Sequence, residues 1–229
     1  DVFIEKPFCL SLPDAQKIAE FAKKRNRVLM VGHLLNYHNA FIKMKELIKK
    51  GKIGIPQNIR ANRLALGVIR SEESVIYDLS SHDISMILAI TEELPIDVNV
   101  QSIHHHNNNG PDAVSIKLSF SKGLTALINS DWMCPYKEHK FSVTGTKGSL
   151  IFDDTKTWTE KLQYNPSFVT SCNSIITTPI ENIKIQKNEP LNIELIEFID
   201  FIYSRKSPLT DHNEAVKVQT VMDLSLIHI

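Results

Sequence analysis

The sequence predicts the end of a parallel α/β unit, followed by an α+β domain with a large, mainly antiparallel open sheet flanked by helices. Residues 1–32 read as strand, helix and strand, and this order requires the two strands to be parallel. After Pro95, short runs of alternating apolar and polar residues are separated by turn residues such as Gly123 and Gly148. Short turns between successive strands are typical of an antiparallel meander.

The α/β unit is predicted for residues 1–33. Its first strand ends at Pro7, and Ser11 then precedes a proline and an acid, which is the pattern of a helix N-terminus. The helical spacing of apolar residues continues to about Lys24. An apolar run of strand length follows and closes at Gly32.

The second domain is predicted for residues 34–223, where the period of the apolar residues changes several times. The predicted elements are, in chain order, a helix at 39–50, a strand from 57, a helix at 78–91, strands at 97–105, 113–120, 125–131, 139–145 and 149–153, a helix at 191–203 and a helix from 213. Residues 154–188 are poorly patterned and are expected to be strands joined by loops.

The two ends of the chain suggest a fragment. Asp1 lies directly before an apolar strand-like run, so we expect the chain to be cut there. Residues 224–229 match the in-frame translation of a common transposase adapter, which predicts a non-native tail; a natural end of the last helix is the alternative.

The composition excludes several classes of function. The chain of 229 residues has 26 Lys and Arg against 26 Asp and Glu, so its formal net charge is zero. A general binder of nucleic acids or anionic membranes needs a basic excess, and no apolar run approaches the ~18–20 residues of a membrane span. The three cysteines are widely spaced, which suits a reducing compartment. We expect a cytoplasmic protein with neither nucleic acid nor membrane as a partner.

No metal site is expected from the sequence. There is no CxxC pair, which excludes a structural zinc site of that type. The run from His104 to His106 looks like a metal-binding tag, but neighbouring residues on a strand face opposite sides. Only His104 and His106 could converge, so a solvated strand end is the better interpretation.

Four short motifs occur in order on the predicted elements. They are Glu5-Lys6-Pro7 at a strand end, Val31-Gly32 at the next strand end, Asp78-Leu79-Ser80-Ser81-His82-Asp83 at a helix start, and Val143-Thr144-Gly145-Thr146-Lys147-Gly148-Ser149-Leu150 in a hairpin. Together, over nearly the whole chain, they resemble the Gfo/Idh/MocA family of NAD(P)-dependent sugar oxidoreductases. The resemblance implies that residues 1–33 are the C-terminal remnant of a Rossmann domain, whose glycine-rich turn for the cofactor would lie roughly 100 residues upstream.

The resemblance implies that Lys6, Asp78 and His82 are the catalytic residues. A neutral histidine can take the hydroxyl proton, and a lysine can hold the substrate oxygen. Asp78 and His82 are four residues apart, so they would share one face of a helical turn and Asp78 could orient a substrate hydroxyl or Lys6. The alternatives are a solvated lysine at a strand end, a helix N-cap at Asp78 and a satisfied buried histidine at position 82. For Asp83 we expect charge compensation in the first helical turn.

Further residues are assigned through the same resemblance. NAD or NADP would contact Glu5, Lys6, Pro7 and His33, with His33 and His38 at the rim of the cleft. The substrate would contact Asn36, Tyr37, Arg63, Arg70 and Asp78. The family often has an R-[FY]-H-P segment, and here the matching residues are Asn36-Tyr37-His38-Asn39, so the arginine is missing. Arg63 and Arg70 could pair with a phosphate or carboxylate, and surface arginines are an equally good interpretation.

The sequence therefore predicts an oxidoreductase that transfers hydride between nicotinamide and a hydroxyl of a sugar, cyclitol or nucleotide sugar. The alternative is a non-catalytic sugar-binding or regulatory homologue of the same fold, which the missing arginine would favour. The fragment by itself is expected to be inactive, and the open sheet face is expected to pair subunits into a homodimer or homotetramer.

Overall fold

The computed structural model describes residues 1–67, 69–70, 73–106, 110–170 and 172–228. Several predicted features fall partly outside these ranges. They are Val68 in the segment between the two arginines, residues 71 and 72 of the loop that follows, the Asn107–Asn109 end of the histidine-rich run, and Ile229 at the end of the predicted tail.

The N-terminal unit has the predicted strand, helix and strand. These are β1 (Val2–Ile4), α1 (Leu12–Lys24) and β2 (Leu29–Val31), and β1 pairs with β2 in parallel. The Ser11 hydroxyl accepts a hydrogen bond from the Asp14 backbone N–H at 3.3 Å, which confirms the predicted N-cap of α1. Ala15 and Ala22 of α1 are buried against this small sheet.

An eight-stranded sheet forms the centre of the rest of the chain. Its strands in chain order are β3 (Pro56–Leu64), β4 (Asp97–Ile103), β5 (Ala113–Ser119), β6 (Thr125–Asp131), β7 (Glu138–Gly145), β8 (Gly148–Asp153), β9 (Leu162–Asn165) and β12 (Glu181–Asn182); β10 (Phe168–Val169) and β11 (Ile175–Ile176) form a separate hairpin. The strand order is β12-β9-β8-β7-β3-β6-β5-β4. The large, mainly antiparallel sheet is therefore confirmed.

The predicted meander is wrong at one point. Strand β3 is inserted between β6 and β7, and it pairs with β6 in parallel and with β7 antiparallel. Turn residues predict which strands follow one another, but they carry no information on a strand from a distant part of the chain. The link between β6 and β7, residues 132–137, crosses over β3, and this brings Trp132 to the edge of the candidate site.

Helices cover one face of the large sheet. They are α2 (Asn39–Lys49), α3 (Ser81–Thr91) and α5 (His212–Ile227), while α4 (Pro190–Ser204) lies over the 3-10 turn Leu34–Tyr37. The core between helices and sheet contains Phe41, Met44, Ile59, Ile84 and Ile128, all fully buried. None of the helices, within the described residues, has both the length and the apolarity needed to cross a membrane.

The helix predicted at residues 78–91 begins differently from the prediction. Residues Ile76–Ser80 form a π-helical turn, and regular α-helix begins only at Ser81. π turns inside helices occur frequently at functional sites. The wider turn carries Asp78, whose carboxylate contacts the side chains of Lys6, Trp132 and Arg70.

The C-terminal segment joins the two predicted domains. The Val31 N–H donates to the Thr210 carbonyl at 2.9 Å, and the Leu12 N–H donates to Asp223 Oδ2 at 2.7 Å. Helix α5 packs on both α1 and α3. The boundaries at residues 33 and 223, and the origin of residues 224–229, stay predictions.

Candidate active site

Lys6 is fixed where β1 ends. Its ammonium nitrogen lies 2.9 Å from Asp78 Oδ1 and 2.8 Å from the Asp78 carbonyl oxygen, and the side chain is 17% exposed. The Lys6–Pro7 peptide bond is cis, as the resemblance implies. The ammonium group of Lys6 is therefore partly buried and paired. This contradicts the alternative of a solvated lysine at a strand end.

Asp78 is the centre of the polar contacts at the site. Besides Lys6, it accepts a hydrogen bond from the Trp132 indole N–H at 3.0 Å, and Arg70 Nε lies 3.1 Å from its Oδ1. Burial alone would raise the pKa of Asp78, but the bond and charge of Lys6, the bond from Trp132 and the charge of Arg70 lower it below the ordinary value. The alternative of a helix N-cap at Asp78 is contradicted, because its carboxylate contacts these side chains and makes no capping bond to the helix.

His82 lies one helical turn after Asp78. The residue as a whole is half-buried, and its Nδ1 is buried and has no hydrogen-bond partner among the described residues. Burial lowers the pKa of His82 well below its ordinary value, and the charges of Arg63 and Lys6 lower it further. A neutral imidazole near physiological pH can accept a proton, which is what a general base requires. The orphaned nitrogen argues against a satisfied structural histidine.

Arg63 is paired inside the protein. Its Nη2 lies 2.9 Å from Asp83 Oδ1, its Nε donates to Asp83 Oδ2 at 3.1 Å, and the two side chains are 12% and 2% exposed. Arg63 is therefore not a surface arginine, and Asp83 does more than compensate charge in the first turn of α3. Arg70, which is half exposed, is the arginine that lies beside Asp78.

The remaining predicted residues are more deeply placed than expected. His33 and His38 are buried, which contradicts a position at the rim of a cleft, and the ring of His38 stacks on Trp158. Tyr37 is buried and its hydroxyl bonds to Thr210. The amide of Asn36 donates to the Ser85 hydroxyl at 2.6 Å, while its buried Oδ1 finds no partner within the described ranges.

Sequence reasoning missed three residues that contact the predicted ones. Trp132 donates its indole N–H to the carboxylate of Asp78. Ser85 and Glu214 contact Asn36 and His33. Ser85 lies three residues after His82, so helical spacing could have indicated it. Glu214 is remote in sequence, and no local pattern reveals it.

The strand ends at the site fit a nicotinamide cofactor. Lys6 follows β1 and Gly32 follows β2, and dinucleotides bind outside the carboxyl ends of parallel strands. A Cβ atom at Gly32 would lie 3.0 Å from Glu5 Oε2, so a larger residue would narrow the space between the two turns. No group of three metal-ligating side chains occurs among the described residues. This chain could contribute Glu5 and Lys6 to a cofactor site, whereas His33 is buried and bonded to Glu214. Contacts of Pro7 and His33 with a cofactor stay predictions.

Family models match both parts of the chain. The oxidoreductase family model with an NAD-binding Rossmann fold matches residues 1–33, and the model of the GFO/IDH/MocA C-terminal domain matches residues 41–151. Together they cover more than half of the sequence. The chain belongs to the Gfo/Idh/MocA family. The family membership predicted from four short motifs is thereby confirmed. The prediction that the N-terminal part is only a portion of a Rossmann fold is confirmed as well.

Proteins similar to this Gfo/Idh/MocA chain include two that are named as dehydrogenases. It is 28% identical to myo-inositol 2-dehydrogenase of Thermotoga maritima over 166 residues, which is 68% of this chain and 50% of that protein. It is 34% identical to UDP-N-acetylglucosamine 3-dehydrogenase of Acidithiobacillus ferrooxidans over 101 residues, which is 44% of this chain and 31% of that protein. The chain spans about half the length of the curated relatives that it matches.

The fold is shared with solved structures of the family. The structure of UDP-N-acetylglucosamine 3-dehydrogenase from Acidithiobacillus ferrooxidans matches with a TM-score of 0.83 at 21% identity, over 99% of this chain and 70% of that one. At this identity the similarity establishes the fold alone. The partial Rossmann unit followed by a large open sheet is therefore the family architecture.

Proposed function

We propose that the protein is an NAD(P)-dependent dehydrogenase acting on a hydroxyl group of a sugar, cyclitol or nucleotide sugar. The observation that carries this proposal is the contact between Lys6 and Asp78, with His82 one helical turn away. These three side chains lie beside the carboxyl end of β1, where a nicotinamide would be held. When bound, the nicotinamide would accept the hydride from the carbinol carbon.

Lys6 is suited to hold the oxygen of the reacting hydroxyl. Its three N–H donors exceed the two acceptors on Asp78, so one donor stays available for a substrate oxygen. A cation at that position stabilises the negative charge that develops as the hydroxyl loses its proton. Asp78 keeps Lys6 in place and fixes the direction of its ammonium group.

His82 is suited to remove the hydroxyl proton. Because its pKa lies well below the ordinary value, the ring is neutral and ready to accept a proton through most of the physiological range. Of its two nitrogens, Nδ1 is buried, so we propose that the base acts through Nε2. The orientation of the substrate relative to the His82 ring would determine which of its hydroxyl groups reacts.

Arg70 gives the strongest support for a nucleotide-sugar substrate. It is half exposed beside Asp78 and Glu73, and a guanidinium fits a phosphate with two parallel hydrogen bonds. Arg63 does not support that substrate class, since Asp83 occupies its guanidinium. We also propose a cytoplasmic location, and a homo-oligomer formed through the open sheet face.

Replacing Lys6 tests the catalytic assignment. In the protein with a complete dinucleotide-binding domain, Lys6→Ala should lower kcat by a factor of about 100 or more, because the developing alkoxide loses its cation. The assay is nicotinamide reduction over a panel of cyclitols, sugars and UDP-sugars. The control is Lys24→Ala, whose lysine is 77% exposed on α1 and should leave kcat unchanged.

The same assay separates the enzyme from a non-catalytic homologue. Sugar binding without cofactor reduction in the unaltered protein would favour the binding or regulatory alternative. Near-normal turnover of Lys6→Ala would remove Lys6 from the mechanism.

A further inference from the structure

Trp132 is buried beside the candidate site and donates a hydrogen bond into it. Its indole N–H lies 3.0 Å from Asp78 Oδ2, and the residue is only 2% exposed. A ring with so little accessible surface offers no face to a substrate, so its influence on the site is through the bond to Asp78. The proposed roles of Lys6, Asp78 and His82 do not use Trp132.

The two oxygens of the Asp78 carboxylate have different partners. Oδ2 accepts from Trp132, whereas Oδ1 lies 2.9 Å from Lys6 Nζ and 3.1 Å from Arg70 Nε. Rotation of a carboxylate about its last side-chain bond is soft, so a partner on one oxygen alone does not fix the plane of the group. The indole N–H on Oδ2 supplies the second fixed point, and it leaves Oδ1 facing the two cations.

The large sheet holds Trp132 in place on both sides of its backbone. The Trp132 N–H donates to the Asp112 carbonyl at 3.2 Å, and the Trp132 carbonyl accepts from the Gly67 N–H at 3.1 Å. The Ser130 hydroxyl on β6 accepts from the Ser80 hydroxyl at 2.9 Å, which ties the π-helical turn to the same strand. The indole donor and the turn that carries its acceptor are therefore both attached to the end of β6. Support of this kind keeps the side chains of a site in a productive geometry.

We propose that Trp132 is a positioning residue for hydride transfer, which fixes the carboxylate of Asp78 and, through it, the ammonium group of Lys6. The inference rests on the proposed dehydrogenase function. Lys6 bonds to both Oδ1 and the carbonyl oxygen of Asp78, so a turn of the carboxylate redirects the donor that is left for the substrate oxygen. Without the indole N–H, the buried Oδ2 would lose its donor, and the carboxylate would turn it toward Lys6 or Arg70.

Titration of the Asp78 carboxyl group tests the contact without any turnover. In the ¹³C-labelled chain, Trp132→Phe should raise the pKa of Asp78, because the indole N–H stabilises the ionised form of the carboxylate. The tryptophan analogue benzothienylalanine, incorporated at position 132 alone, should raise it too, since sulfur replaces the N–H and the shape of the ring is kept. The carboxyl group of Asp14, which is 60% exposed on α1, is the internal reference and should titrate unchanged.

Turnover distinguishes a positioning role from contact with the substrate. In the protein with a complete dinucleotide-binding domain, Trp132→Phe and the benzothienylalanine variant should each lower kcat about ten-fold and change KM by less than about two-fold. The reason is that the buried indole aligns Lys6 but offers no surface to the substrate. The matched control is Trp158→Phe, which removes an indole that stacks on His38, and it should leave both constants unchanged.

A double-variant cycle shows whether the effect passes through Asp78. In an Asp78→Ala background, Trp132→Phe should lower kcat by less than about two-fold, because the acceptor of the indole N–H is already gone. An equal loss of kcat in both backgrounds would indicate disturbed packing and would overturn the proposal. A rise in KM at constant kcat would overturn it as well.

The titration separates this proposal from the dehydrogenase function. An Asp78 pKa that neither change at position 132 raises would overturn the positioning role, whatever the turnover. If the unaltered protein reduces no cofactor with any substrate, the proposed function fails, and the titration still decides whether Trp132 holds the carboxylate of Asp78.

Discussion

At the scale of single residues, the buried pair of Arg63 and Asp83 connects stability to the site. Both side chains lie on the helix-covered side of β3, and two parallel N–H···O bonds join them. Breaking a buried ion pair costs free energy mainly because one charge is left unpaired. Burial lowers the pKa of His82, and the charge of Arg63 lowers it further, so Arg63 helps to keep the candidate base neutral.

Replacing only one residue of this pair should lower the free energy of unfolding more than replacing both residues. We expect Arg63→Met to lower the free energy of unfolding by about 3 kcal/mol, because Asp83 stays buried without a partner. The double variant Arg63→Met/Asp83→Leu should recover most of that loss. Chemical denaturation monitored by circular dichroism measures both values.

A matched control for the pair is available on the surface. Lys17→Met breaks the contact between Lys17 and Asp14, which are 76% and 60% exposed, and should leave stability unchanged within error. A double variant as unstable as Arg63→Met would show that the charge pairing is not the cause. In that case the loss would come from the packing of the Arg63 stem.

At the scale of elements, the spacing of the apolar residues in the sequence predicted the positions of the helices and strands well. The ends of α1, α2 and β6 agree with the prediction to within a residue, because apolar spacing, caps and turns are local signals. The insertion of β3 between β6 and β7 and the π-helical turn at Asp78 were not predictable in this way. Both depend on contacts between distant segments, and both shape the surroundings of Asp78.

The same distinction applies to the candidate site. Lys6, Asp78 and His82 could be found because each lies in a short motif at the end or start of an element. Trp132 and Glu214 could not, since their partners are set by the path of the chain and not by their neighbours.

Helix α4 buries an acidic side chain and exposes apolar ones. Glu194 is 1% exposed, and one of its carboxylate oxygens has no partner in the part of the chain that the structure describes. Ile196 and Ile199 are 59% and 52% exposed. Burial raises the pKa of Glu194 to about 8, and the charges of Glu5 and Glu197 add to this effect. The carboxyl group of Glu194 is therefore expected to be protonated in the folded protein at neutral pH, because a second negative charge beside the neighbouring glutamates would be unfavourable.

The raised pKa of Glu194 makes stability depend on pH. Between its ordinary value of 4.5 and about 8, the folded state holds a proton that the unfolded state has released, so stability falls as pH rises through this range. Glu194→Gln should therefore raise the free energy of unfolding by about 1–3 kcal/mol at pH 8 and by less at pH 5. Asp200→Asn, exposed on the same helix, should show no such difference. An equal gain at both pH values would contradict this account.

At the scale of the whole molecule, one face of the large sheet is not covered by any helix of the described part of the chain. Its centre carries uncharged polar side chains that bond across strands: Asn129 donates to Asn62 at 2.9 Å and accepts from Ser115 at 2.8 Å. Strands ~4.8 Å apart with ~3.4 Å per residue give this face roughly 700 Å² over its six long strands, close to one side of a standard protein interface. A second copy of the chain is the partner that we propose for it.

A charge placed on this face should prevent self-association. Leu127 lies opposite Arg60 on β3 and Lys117 on β5, so Leu127→Lys would put three cations in one row and bring two such rows together across a two-fold axis. We expect the unaltered chain to be a dimer or tetramer by light scattering at micromolar concentration, and Leu127→Lys to be a folded monomer. Leu10→Lys, 67% exposed in the N-terminal unit, should leave the assembly intact. A monomeric unaltered chain, or an assembly unaffected by Leu127→Lys, would show that the open face does not join subunits.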